Sequence, residues 1–120
     1  MRLHYVQVSC PPGGEAAARR FYGEALGLPE VAKPPELAGR GGCWFRDHGV
    51  EVHVGVEPGF SPARKAHPAF LVEDLDATVA RLAERGFVVD RSEEHTLPGH
   101  RRVHTADGHG NRVELLAVHP

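Results

Sequence analysis

The sequence repeats itself. His48-Gly49-Val50-Glu51-Val52-His53-Val54 is answered sixty-one residues on by His109-Gly110-Asn111-Arg112-Val113-Glu114-Leu115, with Gly49 on Gly110, Val52 on Val113 and His53 on Glu114. A second match, offset by one further residue, lays the first strand over Ala66 to Val72 and puts Tyr5 on His67. One helical pattern lies between each pair of strands. A chain that runs twice through strand, helix and two or three further strands reads as two modules, about 1–60 and 61–120, packed about a pseudo-twofold axis.

The individual segments agree with that reading. Val6, Val8 and Cys10 alternate with Tyr5, Gln7 and Ser9, so one face of the first strand is apolar and the other polar. Pro11-Pro12-Gly13-Gly14 breaks it, and Glu15 opens a helix with Ala18, Phe21, Tyr22, Ala25 and Leu26 at helical spacing and Gly27 at its end. Val31 to Arg40, with Pro34 and Pro35, is expected to be a loop. Gly41 to Arg46 and Val50 to Val56 form a hairpin through Asp47-His48-Gly49, with Val52, Val54 and Val56 inward and Glu51, His53 and Gly55 on the open face.

In the second copy, His67, Ala69 and Leu71 take the open side of a short strand that Pro68 confines to an edge or a strand start. A helix is expected over Asp74 to Arg85, capped by Asp74 or Asp76 and ended by Gly86, followed by a short strand at Phe87 to Asp90. After a loop from Arg91 to Gly99, Val103 and Thr105 face inward while Arg102 and His104 face outward. In the closing strand Arg112 and Glu114 alternate with Val113, Leu115 and Ala117. Glu114 thus leaves the core, toward either bulk water or an enclosed polar site, because an unpaired buried carboxylate is costly.

Composition narrows the function classes. With 120 residues and a net charge of −2, the chain suits one compact domain without the basic stripe that a nucleic acid or an anionic membrane would require. No apolar run approaches a membrane span and the first residues lack a signal-peptide core, so a cytoplasmic location is expected. Cys10 and Cys43, in strands and without a CxxC pattern, are expected as buried reduced thiols.

The open faces of the four repeat strands contribute Tyr5, His53, His67 and Glu114. Two imidazoles and a carboxylate are ordinary ligands for a divalent transition metal. The opening LHYVQVSC, the segment FYGEALGL, the stretch AHPAFLVEDLDATVARLAERGF and the closing DGHGNRVELL carry a resemblance across nearly the whole chain. The sequence resembles the vicinal oxygen chelate superfamily, which includes glyoxalase I, extradiol dioxygenases, fosfomycin-resistance enzymes and bleomycin-binding proteins.

That resemblance implies an α+β fold of two tandem βαβββ modules, forming a curved mixed sheet around a central site with helices on the outer face. It further implies a homodimer or an intrachain pairing of the modules, and a small-molecule substrate. The implied metal ligands are His53, His67 and Glu114, binding zinc, nickel, iron or manganese. Tyr5 replaces the usual histidine of the first strand, where it would serve as a weak phenolate ligand or a hydrogen-bond partner of substrate. Glu114 is the implied catalytic base of a glyoxalase-like lyase or isomerase. Gln7, Arg46, Arg102 and His104 are candidate substrate contacts, with Arg64 and Lys65 as further cations for an anionic group. Two other readings stay open: a metal-free binder of the bleomycin-resistance type, and an extradiol-type dioxygenase with ferrous iron.

Overall fold

A computed structural model describes residues 1–119. The chain forms two compact units, Met1–Pro62 and a second starting at Ala63. In the first unit β1 (Val6–Cys10) runs parallel to β4 (Val50–Val56), β4 pairs antiparallel with β3 (Cys43–Asp47), and β3 with the edge strand β2 (Glu30–Val31). The sheet order is therefore β1-β4-β3-β2. In the second unit β5 (Ala69–Leu71) runs parallel to β7 (Arg112–Val118), which pairs antiparallel with β6 (His100–Ala106). Their order, β5-β7-β6, repeats the first three places of the other sheet. The fold is α+β.

Two segments depart from the pattern read in the sequence. Phe87 to Asp90 forms no strand; only Asp90 bridges β6, opposite His104, and Val88 is 84% exposed. Phe87 and Val89 are half-buried on the side opposite Val88. Val31 to Arg40 is not wholly loop, since Val31 ends β2 and Pro35–Ala38 forms the short helix α2 with proline at its start.

The first helix changes its winding midway. Glu15–Ala18 (α1) is α-helical, but Arg19–Ala25 is π-helical, with Leu26 N–H donating to the Phe21 carbonyl at 2.9 Å. The wider turn coincides with the consecutive aromatics Phe21 and Tyr22, both fully buried with Ala25 and Phe45 in the core of this unit. The helix of the second unit, α3 (Leu75–Glu84), is regular. Asp74 caps it by accepting from Ala77 N–H at 3.0 Å, and Leu75, Thr78, Val79 and Leu82 form its buried face. With Val103, Val113 and Leu115 these make the apolar interior of that unit.

Gly42 is the position where the backbone leaves no alternative. Its φ is +82°, and a Cβ there would stand 2.2 Å from the Val54 carbonyl oxygen. Glycine alone lets the chain enter β3 against β4. Cys10 and Cys43 are both buried, and burial pushes the Cys43 thiol up to about 11. No helix among the described residues is long and apolar enough to cross a membrane.

Candidate functional site

Glu114 sits at the middle of β7, the central strand of its sheet, and its position is set by two backbone devices. The turn before β7 is held by Asp107, whose Oδ1 accepts from the N–H groups of His109 and Asn111, while Asn111 Nδ2 donates to Asp107 Oδ2. Asn111 Oδ1 in turn accepts from Ala63 N–H, so this turn also anchors the start of the unit. On the other side of β7, Glu114 N–H donates to the Pro68 carbonyl at 3.0 Å, which draws His67 alongside. The β6–β7 register sets His104 directly opposite Glu114.

The carboxylate is buried, with 4% of the residue exposed. Three basic groups meet it at one oxygen: His67 Nε2 at 3.1 Å, His104 Nε2 at 3.1 Å and Arg102 Nη1 at 3.4 Å from Oε1. His67, His104 and Glu114 each offer a ligand atom, all within 4.8 Å of one another. Burial is the largest influence on the carboxyl and pushes its pKa up. The His67 hydrogen bond and the charges of Arg102 and His104 together outweigh it and hold the pKa below the ordinary carboxylate value. The sequence left Glu114 between water and an enclosed polar site; it lies in the polar enclosure.

The equivalent place in the first unit holds different chemistry. His53, central in β4 and 5% exposed, lies flat on Trp44 with ring centroids 3.8 Å apart and an interplanar angle of 1°. Tyr5 stacks on the same ring at 4.0 Å and 16°. The His53 Nε2 atom is 2.8 Å from Glu51 Oε2, and that hydrogen bond is the main reason the Glu51 carboxyl titrates below its usual value. Arg46, more distant at 3.7 Å from Glu51, is largely exposed and lines an open depression with Arg2 and His4.

The sequence matches the Glyoxalase/Bleomycin resistance protein/Dioxygenase superfamily over residues 6–115. The chain belongs to this superfamily. Among solved structures, a glyoxalase family protein from Bacillus anthracis shares 41% identity at a TM-score of 0.89, covering 99% of this chain and 100% of that one. TnmS3, an antibiotic binding protein from Streptomyces sp. CB03234, shares 25% identity at a TM-score of 0.73, with 98% of each chain covered. The fosfomycin resistance protein FosX from Listeria monocytogenes shows the same fold at 13% identity and a TM-score of 0.78, over 99% of this chain and 94% of that one. No curated protein matches the sequence.

Within this superfamily member the residues singled out from sequence fall into two groups. His67, Glu114, Arg102 and His104 come together in the second unit. Tyr5, His53, Gln7 and Arg46 belong to the first, where Gln7 is the β1 partner of His53 and its side chain lies over Gly55. Arg64 is exposed, and Lys65 contributes its backbone carbonyl, which accepts from His67 Nδ1 at 2.8 Å. Tyr5 and His67 each stand just ahead of the first strand of their unit rather than within it.

Three roles were not read from the sequence. His104 was expected as a substrate contact, and its place beside Glu114, with Nε2 3.1 Å from Oε1, was not foreseen. Trp44 and Glu51, the ring and the carboxylate around His53, were not singled out at all. Counting back from the Asp47-His48-Gly49 turn finds Trp44, because Asp47 opposite Val50 puts Trp44 opposite His53.

Proposed function

We propose that this superfamily member is a metal-dependent, glyoxalase-like lyase or isomerase acting on a small oxygenated metabolite. The observation that carries this reading is the His67–Glu114–His104 cluster, with Glu114 and His104 buried and His67 half-buried, whose nitrogen and oxygen donors suit zinc, nickel, iron or manganese. His67 and Glu114 would hold the ion. It would act as a Lewis acid on two neighbouring oxygens of the substrate, stabilising negative charge that develops there. The resemblance also names His53 as a ligand, and His53→Ala is the separate test of that residue.

The chain's own groups supply the rest. The His67 hydrogen bond and the charges of Arg102 and His104 hold the Glu114 carboxyl below its ordinary value against the opposing effect of burial, and its carboxylate would take a proton from the carbon next to a substrate carbonyl. Arg102 contacts Glu114 through Nη1 and Thr96 Oγ1 through Nη2, which holds a fixed positive charge beside the carboxylate. The same reading takes a homodimer as the working form and the cytoplasm as the compartment.

The experiment is an assay of chelator-stripped protein against compounds bearing adjacent oxygens, with each of the four metals added in turn. Turnover that requires a metal and disappears in Glu114→Gln is the expected result; turnover that ignores both sinks the reading.

A second reading rests on the first unit. The Tyr5–His53–Trp44 stack ends in a tyrosine that is 44% exposed, a surface on which a planar ligand can lie. A metal-free binder would use that stack, as the likeness to an antibiotic binding protein allows. Quenching of Trp44 emission by a planar ligand, unchanged by chelator, would favour it.

A further inference from the structure

The two histidines beside Glu114 look alike by distance, but their second ring nitrogens differ. His67 Nδ1 lies 2.8 Å from the Lys65 carbonyl oxygen. A carbonyl only accepts, so Nδ1 carries a proton, and Nε2 is the nitrogen that faces Glu114 Oε1, 3.1 Å away. The space between Nε2 and that oxygen takes a positive centre: a second ring proton, donated to Glu114 in the metal-free protein, or a cation in its place. One nitrogen fixed by a carbonyl and the other aimed at a carboxylate is the arrangement a metal ligand needs.

His104 is the reverse. Its Nε2 faces the same carboxylate oxygen at 3.1 Å, while its Nδ1 is buried with no hydrogen-bond partner among the described residues. If Nε2 were the bare nitrogen, the proton would sit on Nδ1 and become a buried donor with nothing to receive it. The favoured form has the proton on Nε2, donated to Glu114, and a lone pair on Nδ1.

With His67 as the ligand that the metal reading already names, we propose that His104 is a positioning residue that donates Nε2–H to Glu114 and does not touch the ion. This rests on the metal reading for the role of His67, but the assignment of His104 stands or falls on the metal-free protein as well. The division of labour is specific: one imidazole binds, and the other fixes the carboxylate that binds beside it.

Long-range proton–nitrogen correlation spectra of the full nitrogen-15-labelled chain, stripped with chelator, read both tautomers directly. The expected result is a proton on Nδ1 of His67 and on Nε2 of His104. Zinc should then shift His67 Nε2 and leave the His104 Nε2 proton in place. A His104 ring protonated on Nδ1, or one that loses its Nε2 proton when zinc binds, overturns the proposal. As a second readout, His104→Ala should weaken zinc binding by about 10–100-fold, the usual effect of removing a group that orients a ligand. His104→Gln, which keeps a side-chain donor, should recover most of that loss, whereas Glu114→Gln and His67→Gln should abolish binding. Loss in His104→Gln as complete as in His67→Gln makes His104 a third ligand and contradicts the assignment. Wild-type protein that takes up no zinc removes the metal reading and the ligand role of His67, while the tautomers still decide the role of His104.

Discussion

The two units place different chemistry on one scaffold. In each, a central strand carries a polar residue at the matching place on its open face, an antiparallel neighbour sets a ring opposite it, and a residue just ahead of the parallel neighbour completes the group. In the first unit those places hold His53, Trp44 and Tyr5, and the contacts are flat ring stacking at 3.8 and 4.0 Å. In the second they hold Glu114, His104 and His67, and the contacts are hydrogen bonds converging on one oxygen. Stacking on a ring needs area and no charge, whereas a buried carboxylate must be met by donors or a cation. What the units share is therefore geometry, and what separates them is the sign and shape of the groups that geometry presents.

The largest effect should come from asking which unit is held by sterics. Gly42→Ala places a Cβ against the Val54 carbonyl at a positive φ, and denaturant unfolding should show a loss of about 3 kcal/mol or more. Gly86→Ala, at φ +85° in the second unit with nothing within 4 Å, should cost only about 1–2 kcal/mol for the backbone conformation. Equal losses would remove this distinction between the β3 entry and the end of α3.

Next in size is the electrostatic contrast. Glu114→Ala leaves His67, His104 and Arg102 facing each other without their common acceptor, and metal uptake should fall by about 100-fold or more, measured by titration with zinc. His53→Ala should act on the other unit's signal. The His53 imidazole stacks on Trp44, the sole tryptophan of the sequence, and is expected to quench it, so emission should brighten when that ring is removed. Unchanged emission would mean that the stack is not maintained in solution.

The smallest effect concerns acid. Glu114, Glu51, Asp76 and Glu94 all titrate below their ordinary values. A carboxyl depressed in the folded state contributes stability above its unfolded pKa and loses that contribution as the pH falls through the folded one. Both units should therefore weaken as the pH falls below the ordinary values of 3.8 for Asp76 and 4.5 for the three glutamates. Arg101 makes hydrogen bonds to Asp76 and Glu94 and is the main cause of their depression. Arg101→Leu should flatten the acid limb of an unfolding curve by removing a modest stabilisation at neutral pH, since Arg101 and Glu94 are only half-buried and Asp76 is exposed. An acid limb as steep as in the wild type would assign that sensitivity to Glu51 and Glu114 instead.

Much of this was legible in the sequence because a period of two along a strand and a period of sixty-one along the chain are both visible without coordinates. The match of His53 to Glu114 gave the open-face position in each unit, and the costly burial of a carboxylate raised the enclosed site. What stayed hidden depends on register across turns. The Asp107–Asn111 turn is not a two-residue hairpin, and which residue of β6 stands opposite Glu114 follows from its side-chain hydrogen bonds, not from its length. His104 was therefore placed on the correct face without its contact to Glu114 being read. The π-helical turn at Arg19–Ala25 has no periodicity of its own, since it arises where Phe21 and Tyr22 must both turn inward. The strand expected at Phe87 to Asp90 failed because hydrophobic residues alone do not make a ladder; the Val88 carbonyl accepts from the Thr105 hydroxyl, and only Asp90 bridges β6.

The contrast between the units is tested most directly by the metal content of protein purified without chelator or added metal, measured beside Glu114→Gln. The expected result is close to one nickel, zinc, iron or manganese ion per wild-type chain and none in the variant. Wild-type chains that remain empty when all four metals are offered, or a Glu114→Gln variant that stays fully loaded, would contradict a cation site built on β7.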